Sequence, residues 1–292
     1  MPLIERITPR STTLGEGMQV SRALPTRERR MIGAWCFLDH LGPVEFAPGG
    51  GMHVGAHPHT ALQTFTWLIE GEVLHRDSLG SEQVIRPGQV NLMTAGHGIA
   101  HTEDSLPDAR RLHAAQLWIA LPAAMADCPP AFEHHPTLPC WQEGACTLTL
   151  LAGRHGQHHA PARVHSPLMA MDIFSDAEAR LDLPLDPAFE YGILPLTGSL
   201  RIGDAQFDGE TLACFAPGGT ALSLTLAPGT RLLLIGGEPF ETPVHMAWNF
   251  VGHSREAIAA AQHDWEAGSP RFGVVPGSTR RLAAPPLPWI RE

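Results

Sequence analysis

From Met31 to about Leu121 the chain reads as short runs of alternating apolar and polar residues, cut by glycine and proline. "CFLDHLGPVEF" leads into the glycine-rich "APGGGMHVG". Then come "TALQTFTWLIEG", "EVLHRDSLG", "EQVIRPGQVNLMTAG" and "RRLHAAQLWIALP", with turn signals at Leu79-Gly80 and Pro87-Gly88. A period of two predicts β-strands. From about Leu148 the same grammar returns and runs to Gly237. The two halves overlay, with Gly71 falling on Gly198 and Gly88 on Gly209. Two divergent copies of one β-barrel leave that trace. The Pro- and His-rich stretch Pro122–Gly144 reads as the connection. The expected division is a first barrel over residues 1–135 and a second over 136–292 that also carries a helix and an extended arm. "HSREAIAAAQHDWEAGSPRFG" predicts that helix, with Ser254 as N-cap, Ile258, Ala261 and Trp265 on one face, and Gly268 as the stop. The Pro-rich "LAAPPLPWIRE" predicts the arm.

Side chains alternate across a strand, so His57 and His59 share a face. The same parity carried forward takes in Ala61, Gln63, Phe65, Trp67 and Ile69, an apolar set that points inward. Buried imidazoles need partners, and one metal ion serves both. His101 and Glu103 in "AGHGIAHTE" share a face in the same way. With 17 His in 292 residues, about one HxH arises by chance, so the pair alone means little. Inward parity and a second HxE pair one or two hairpins on change that. Three imidazoles and one carboxylate suit a divalent first-row metal, and an octahedral ion held so would keep two open positions.

At this point the stretches "CFLDHLGPV", "AHPHTALQTFTWLIEG", "HRDSLGSEQVIRPGQVNLMTAGHGIAHTE", "AAQLWIALP" and "GEPFETPVHMAWNFVGHSREAI" resemble the pirin family within the cupin superfamily. The resemblance implies an all-β bicupin. Its two cupin-type barrels (double-stranded β-helix, or jelly-roll) pack face to face, with a short C-terminal helix and an extended tail. It implies metal in the first barrel only, on His57, His59, His101 and Glu103. It also implies an iron-dependent dioxygenase similar to quercetin 2,3-dioxygenase, acting with dioxygen on a small aromatic flavonol or enediol. Iron, as Fe(II), is the first choice of metal; zinc, manganese, nickel and copper accept the same ligand types. The alternative is a non-catalytic, redox-responsive regulator working through protein partners. Gln63 stands where many cupins place a carboxylate ligand, and as a neutral amide it reads as a hydrogen-bonding residue beside the ligands. The second barrel carries no HxH and no HxE in register.

Composition narrows the classes further. The net charge is −10, and with no lysine all 20 basic residues are arginine. An acidic chain without a basic block repels phosphate backbones, so direct nucleic-acid binding is not expected. Five scattered cysteines with no CxxC fit a reducing compartment. No apolar stretch approaches a membrane span or a signal core, so the expectation is a cytoplasmic protein. Two barrels in one chain suggest a monomer. No G-x-S-x-G elbow and no P-loop lysine are present, which leaves serine hydrolysis and P-loop nucleotide binding without support. His75 and His113 are weighed as neighbours of the ligands, His97 as a loop residue at the entrance, and His155, His158 and His159 as a second, weaker cluster. Phe65 and Trp67 read as core, with an apolar slot for a planar ligand as the other option.

Overall fold

Strand runs of two to eleven residues separated by tight turns give a chain that is almost wholly β. The computed structural model describes residues 4–15, 17–209, 211–240 and 244–289. Glu241, Thr242 and Pro243, part of one stretch that carried the pirin resemblance, lie outside the described residues.

Two compact units emerge, each assembled from three segments. One contains residues 13–20, 41–136 and 241–292; the other contains 1–12, 21–40 and 137–240. The expected single cut near 135 therefore marks only one of the crossings. Trp35–Glu45 is one strand that passes from one unit to the other after His40. The helix and the arm belong with the first barrel, where Leu282 N–H donates to the Ala56 carbonyl and Ala56 N–H to that of Arg280. This placement corrects the expectation that they accompany the second barrel.

In the first unit a four-stranded sheet runs in the order His53–His59, Ile99–Ser105, Val73–Asp77, Glu82–Ile85. Facing strands run Ala131–His135, Val90–Thr94, Leu62–Glu70, Arg111–Ala120. The second unit repeats the plan. Its four-stranded sheet runs Ala179–Pro184, Ala221–Leu226, Ser199–Ile202, Ala205–Asp208, so each strand finds the counterpart neighbour. The overlaid glycines explain themselves. Gly71 has φ +90° and Gly198 φ +72°, and a Cβ would collide with the Arg111 carbonyl oxygen in one copy and with Thr230 in the other. Both conditions exclude other residues.

The run from His57 to Ile69 is two strands, not one. The first ends at His59 and the next starts at Leu62, and they belong to different sheets. Ala61 turns the corner at φ +51°. Parity cannot be carried through such a corner. On the far side Leu62, Gln63, Thr64, Phe65, Thr66, Trp67 and Leu68 are all buried, whichever face they occupy. Phe65 and Trp67 pack as core.

The helix spans Arg255–Glu266, with the Ser254 hydroxyl accepting from Ala257 N–H at 3.1 Å and Ile258, Ala261 and Trp265 buried. Those residues pack with Ala56, Ala100, Phe250 and Phe272, so the helix covers the sheet that carries His57 and His101. Among the described residues no helix is long and apolar enough to cross a membrane.

Candidate metal centre

His57 and His101 are cross-strand partners in the antiparallel pair formed by His53–His59 and Ile99–Ser105. His59 sits two residues beyond His57 on the same face. One ligand atom from each of the three imidazoles falls within 4.8 Å of the others, and all three side chains are buried. The rings lie with centroids 4.3 to 5.0 Å apart, and Nε2 of His59 stands 3.1 Å from Nε2 of His101.

Hydrogen bonds on the far sides of the rings set which nitrogen faces inward. His57 Nδ1 lies 2.9 Å from the Gly55 carbonyl oxygen and His59 Nδ1 lies 3.1 Å from that of Asn249. A carbonyl only accepts, so each Nδ1 carries the proton and each Nε2 keeps its lone pair. Burial pushes the His57 imidazole down to about 4, against the pull of the Gly55 carbonyl and with a small push from His75. Burial and the neighbouring rings hold His59 and His101 well below the ordinary histidine range. The three are neutral at physiological pH, which is the form that binds metal.

A divalent cation fits this donor set. Cis ligands on an ion at about 2.1 Å are about 3.0 Å apart, close to the 3.1 Å between the Nε2 atoms of His59 and His101. Trp118 meets His59 edge-on at 5.1 Å and supplies an apolar wall.

Glu103 stands apart from this group. It follows His101 by two residues on the same strand, but the register slips between them, so Glu103 pairs with Val54 and not with Gly55. Its carboxylate is not among the atoms gathered within 4.8 Å. Burial, helped by the Asp104 carboxyl, pushes the Glu103 carboxyl up to about 7. Gln63 is fully buried, and its amide donates to Thr94 Oγ1 at 2.9 Å.

His75, weighed as a neighbour of the ligands, lies in contact with His101. It faces Glu103 across the sheet, is buried, stacks on Phe132 with centroids 4.4 Å apart, and places its Nδ1 3.3 Å from His101 Nδ1. "HRD" is an H-x-D pair with the same inward alternation as HxH and HxE, and that is the signal for it. The Asn249 carbonyl carries no such signal, since it is backbone brought from 190 residues away.

The remaining histidines have other occupations. His134 meets Asn91 Oδ1 at 2.7 Å and His135 meets Glu133 at 3.1 Å. His158 stacks on Trp141 with centroids 3.9 Å apart. His97 is exposed in its loop, with its carbonyl accepting from Arg271. Among the described residues, His57, His59 and His101 form the single group with metal-ligand geometry.

The second barrel shows what becomes of these positions without a ligand role. In its corresponding sheet Ala179–Pro184 pairs with Ala221–Leu226, and the cross-strand pair Leu183–Leu222 is apolar. Leu183, Leu222 and Leu224 are buried in that barrel's apolar core, and Leu185 packs against it.

Two family models match the chain: Pirin over residues 17–119 and the Pirin C-terminal cupin domain over 170–273. A Pseudomonas aeruginosa protein named putative quercetin 2,3-dioxygenase is 59% identical over 98% of this chain and 91% of its own length. A pirin-like protein of Caulobacter vibrioides is 37% identical over 86% of this chain and 88% of its own. The crystal structure of a quercetin 2,3-dioxygenase from Acinetobacter baumannii superposes with a TM-score of 0.96 at 45% identity, covering 99% of this chain and 97% of that one. The duplicated barrel, the histidine centre confined to its first copy and these matches place the chain in the pirin family of the cupin superfamily.

Proposed function

We propose that His57, His59 and His101, joined by Glu103, hold a divalent iron, and that the protein is a dioxygenase acting on flavonols or related enediols. The observation that carries the reading is the convergence of three buried neutral imidazoles whose outer nitrogens are already committed to hydrogen bonds. The names of the relatives, putative quercetin 2,3-dioxygenase at 59% identity and quercetin 2,3-dioxygenase at 45%, supply the substrate class. The metal would supply a Lewis acid that favours the deprotonated enol oxygen of the substrate and an open position for dioxygen. The chain's own residues orient the imidazoles, keep them unprotonated and wall the centre with Trp118. Glu103 brings the one anionic donor, and a cation beside it favours its ionised form.

Metal analysis of protein purified without added metal, followed by oxygen-uptake assays with quercetin and a panel of enediols, tests the reading. Iron retention with oxygen consumption is the expected result, and both should fall together in Glu103→Ala. A metal-loaded protein that consumes no oxygen with any of these substrates, or full turnover by Glu103→Ala, overturns it.

A further inference from the structure

The second barrel holds a cavity of about 700 Å³ at one end, where Cys146–His155 finishes and Leu168–Ser175 and Glu190–Thr197 begin. That volume lies within the range of small-molecule pockets. Met169, Leu185, Phe189 and Tyr191 give it an apolar floor continuous with that barrel's core. The Phe189 and Tyr191 rings stand 6.0 Å apart, tilted by 43°. The Tyr191 hydroxyl accepts from Asp186 N–H at 2.8 Å, which holds its ring in place.

Arg154 and Arg163 also line the cavity. Local geometry brings Arg154 there. The ladder slips between Leu150 and Ala152, and Gly153 follows at φ +72°, where a Cβ would collide with the Leu168 carbonyl oxygen. A bulge of this kind bends the strand. The bent end closes a small hairpin in which Arg154 pairs with His159 and His155 with His158. Cross-strand partners share a face. One face meets Trp141, on which His158 stacks with centroids 3.9 Å apart and His155 with centroids 6.3 Å apart. Arg154 and His159, on the other face, line the cavity.

Among the described residues of the lining Asp186 is the one carboxylate, and its Oδ1 already accepts from Ala188 N–H at 2.9 Å. Two guanidinium groups therefore leave the cavity with an excess of positive charge, in a chain whose net charge is −10. Guanidinium groups match the planar fork of a carboxylate. An aromatic body packs against aromatic and aliphatic side chains such as Phe189 and Leu185. We propose that this cavity binds a small aromatic carboxylate, with the anion on Arg154 and Arg163 and the ring against Leu185 and Phe189. The site lies wholly within one compact unit and shares no residue with the histidine centre, so it stands independently of the metal reading.

The test is fluorine NMR of para-fluorobenzoate titrated with the full-length protein, beside para-fluorobenzamide, which has the same shape and no charge. The acid should show saturable binding at millimolar concentration. The amide should bind about 10-fold more weakly or worse, as should the acid to Arg154→Gln or to Arg163→Gln, since each change removes charge-assisted hydrogen bonds. The double variant should lose binding. Inorganic phosphate at equal concentration should leave the probe bound. A double variant that binds the acid as tightly as the wild type overturns the proposal, because the probe then sits elsewhere, the histidine centre included. Displacement by phosphate also overturns it, by making the cavity a general anion site. Equal binding of acid and amide by the wild type, or no saturable binding of the acid, overturns it without any variant having to fold.

Discussion

Holding the buried imidazoles neutral should cost metal-free protein stability as the pH falls from the ordinary histidine range towards 4, set against an opposite contribution from Glu103, whose raised carboxyl is protonated first in the folded chain; His57 gives the magnitude of the cost, and a His57 variant isolates it. Burial takes its imidazole from 6.5 to about 4 in the folded chain. The unfolded chain therefore binds a proton near 6.5, whereas the folded chain resists until about 4, so acid favours unfolding throughout that window. Linkage from these two values gives a loss of about 2 kcal/mol at about pH 5 relative to about pH 7.5, rising to about 3 kcal/mol at lower pH. His59 and His101 are displaced in the same direction, so the triad as a whole costs more than His57 alone. His40, also pushed down to about 4 by burial, belongs to the other compact unit and should act on that unit's transition. Urea unfolding in the presence of a chelator, read at both pH values, measures the effect. His57→Gln should shrink the difference between the two pH values by about 2 kcal/mol. If the variant keeps the wild-type pH dependence within about 0.5 kcal/mol, the folded protein does not hold His57 neutral against acid, and the argument from its burial fails.

Two further outcomes follow from backbone geometry and core hydrogen bonding. Gly71→Ala should cost more than about 3 kcal/mol, because positive φ and a collision with the Arg111 carbonyl act together; Gly88→Ala, at φ +81° with open space around it, should cost about 1 kcal/mol. Equal shifts of the thermal midpoint in the two variants would contradict the close approach. Trp35→Phe should cost about 1–3 kcal/mol, since the indole N–H lies 3.2 Å from the carbonyls of both Met169 and Gly236 in the second barrel's unit. An unchanged urea midpoint in that variant would show that water replaces the indole without loss.

The chain's local pattern determined what depends on neighbours in sequence. Alternation along a strand is set by the pleat, so His57 with His59 and His101 with Glu103 were legible as pairs on shared faces. The cap at Ser254, the buried stripe of the helix and the paired glycines at 71 and 198 are equally local, and the structure places each as its residues required. The corner at Thr60–Ala61 was not legible, because an alternating pattern runs on through it while the backbone changes sheet. Pairing between strands distant in sequence was decided by closure of the barrel. That closure sets His101 opposite His57, slips Glu103 onto Val54, and lays His75 behind His101. It also brings the Asn249 carbonyl to His59 and assigns the helix to the first barrel. A periodic sequence specifies which side of a strand a residue faces, but only the packing of one strand on another specifies what it meets there.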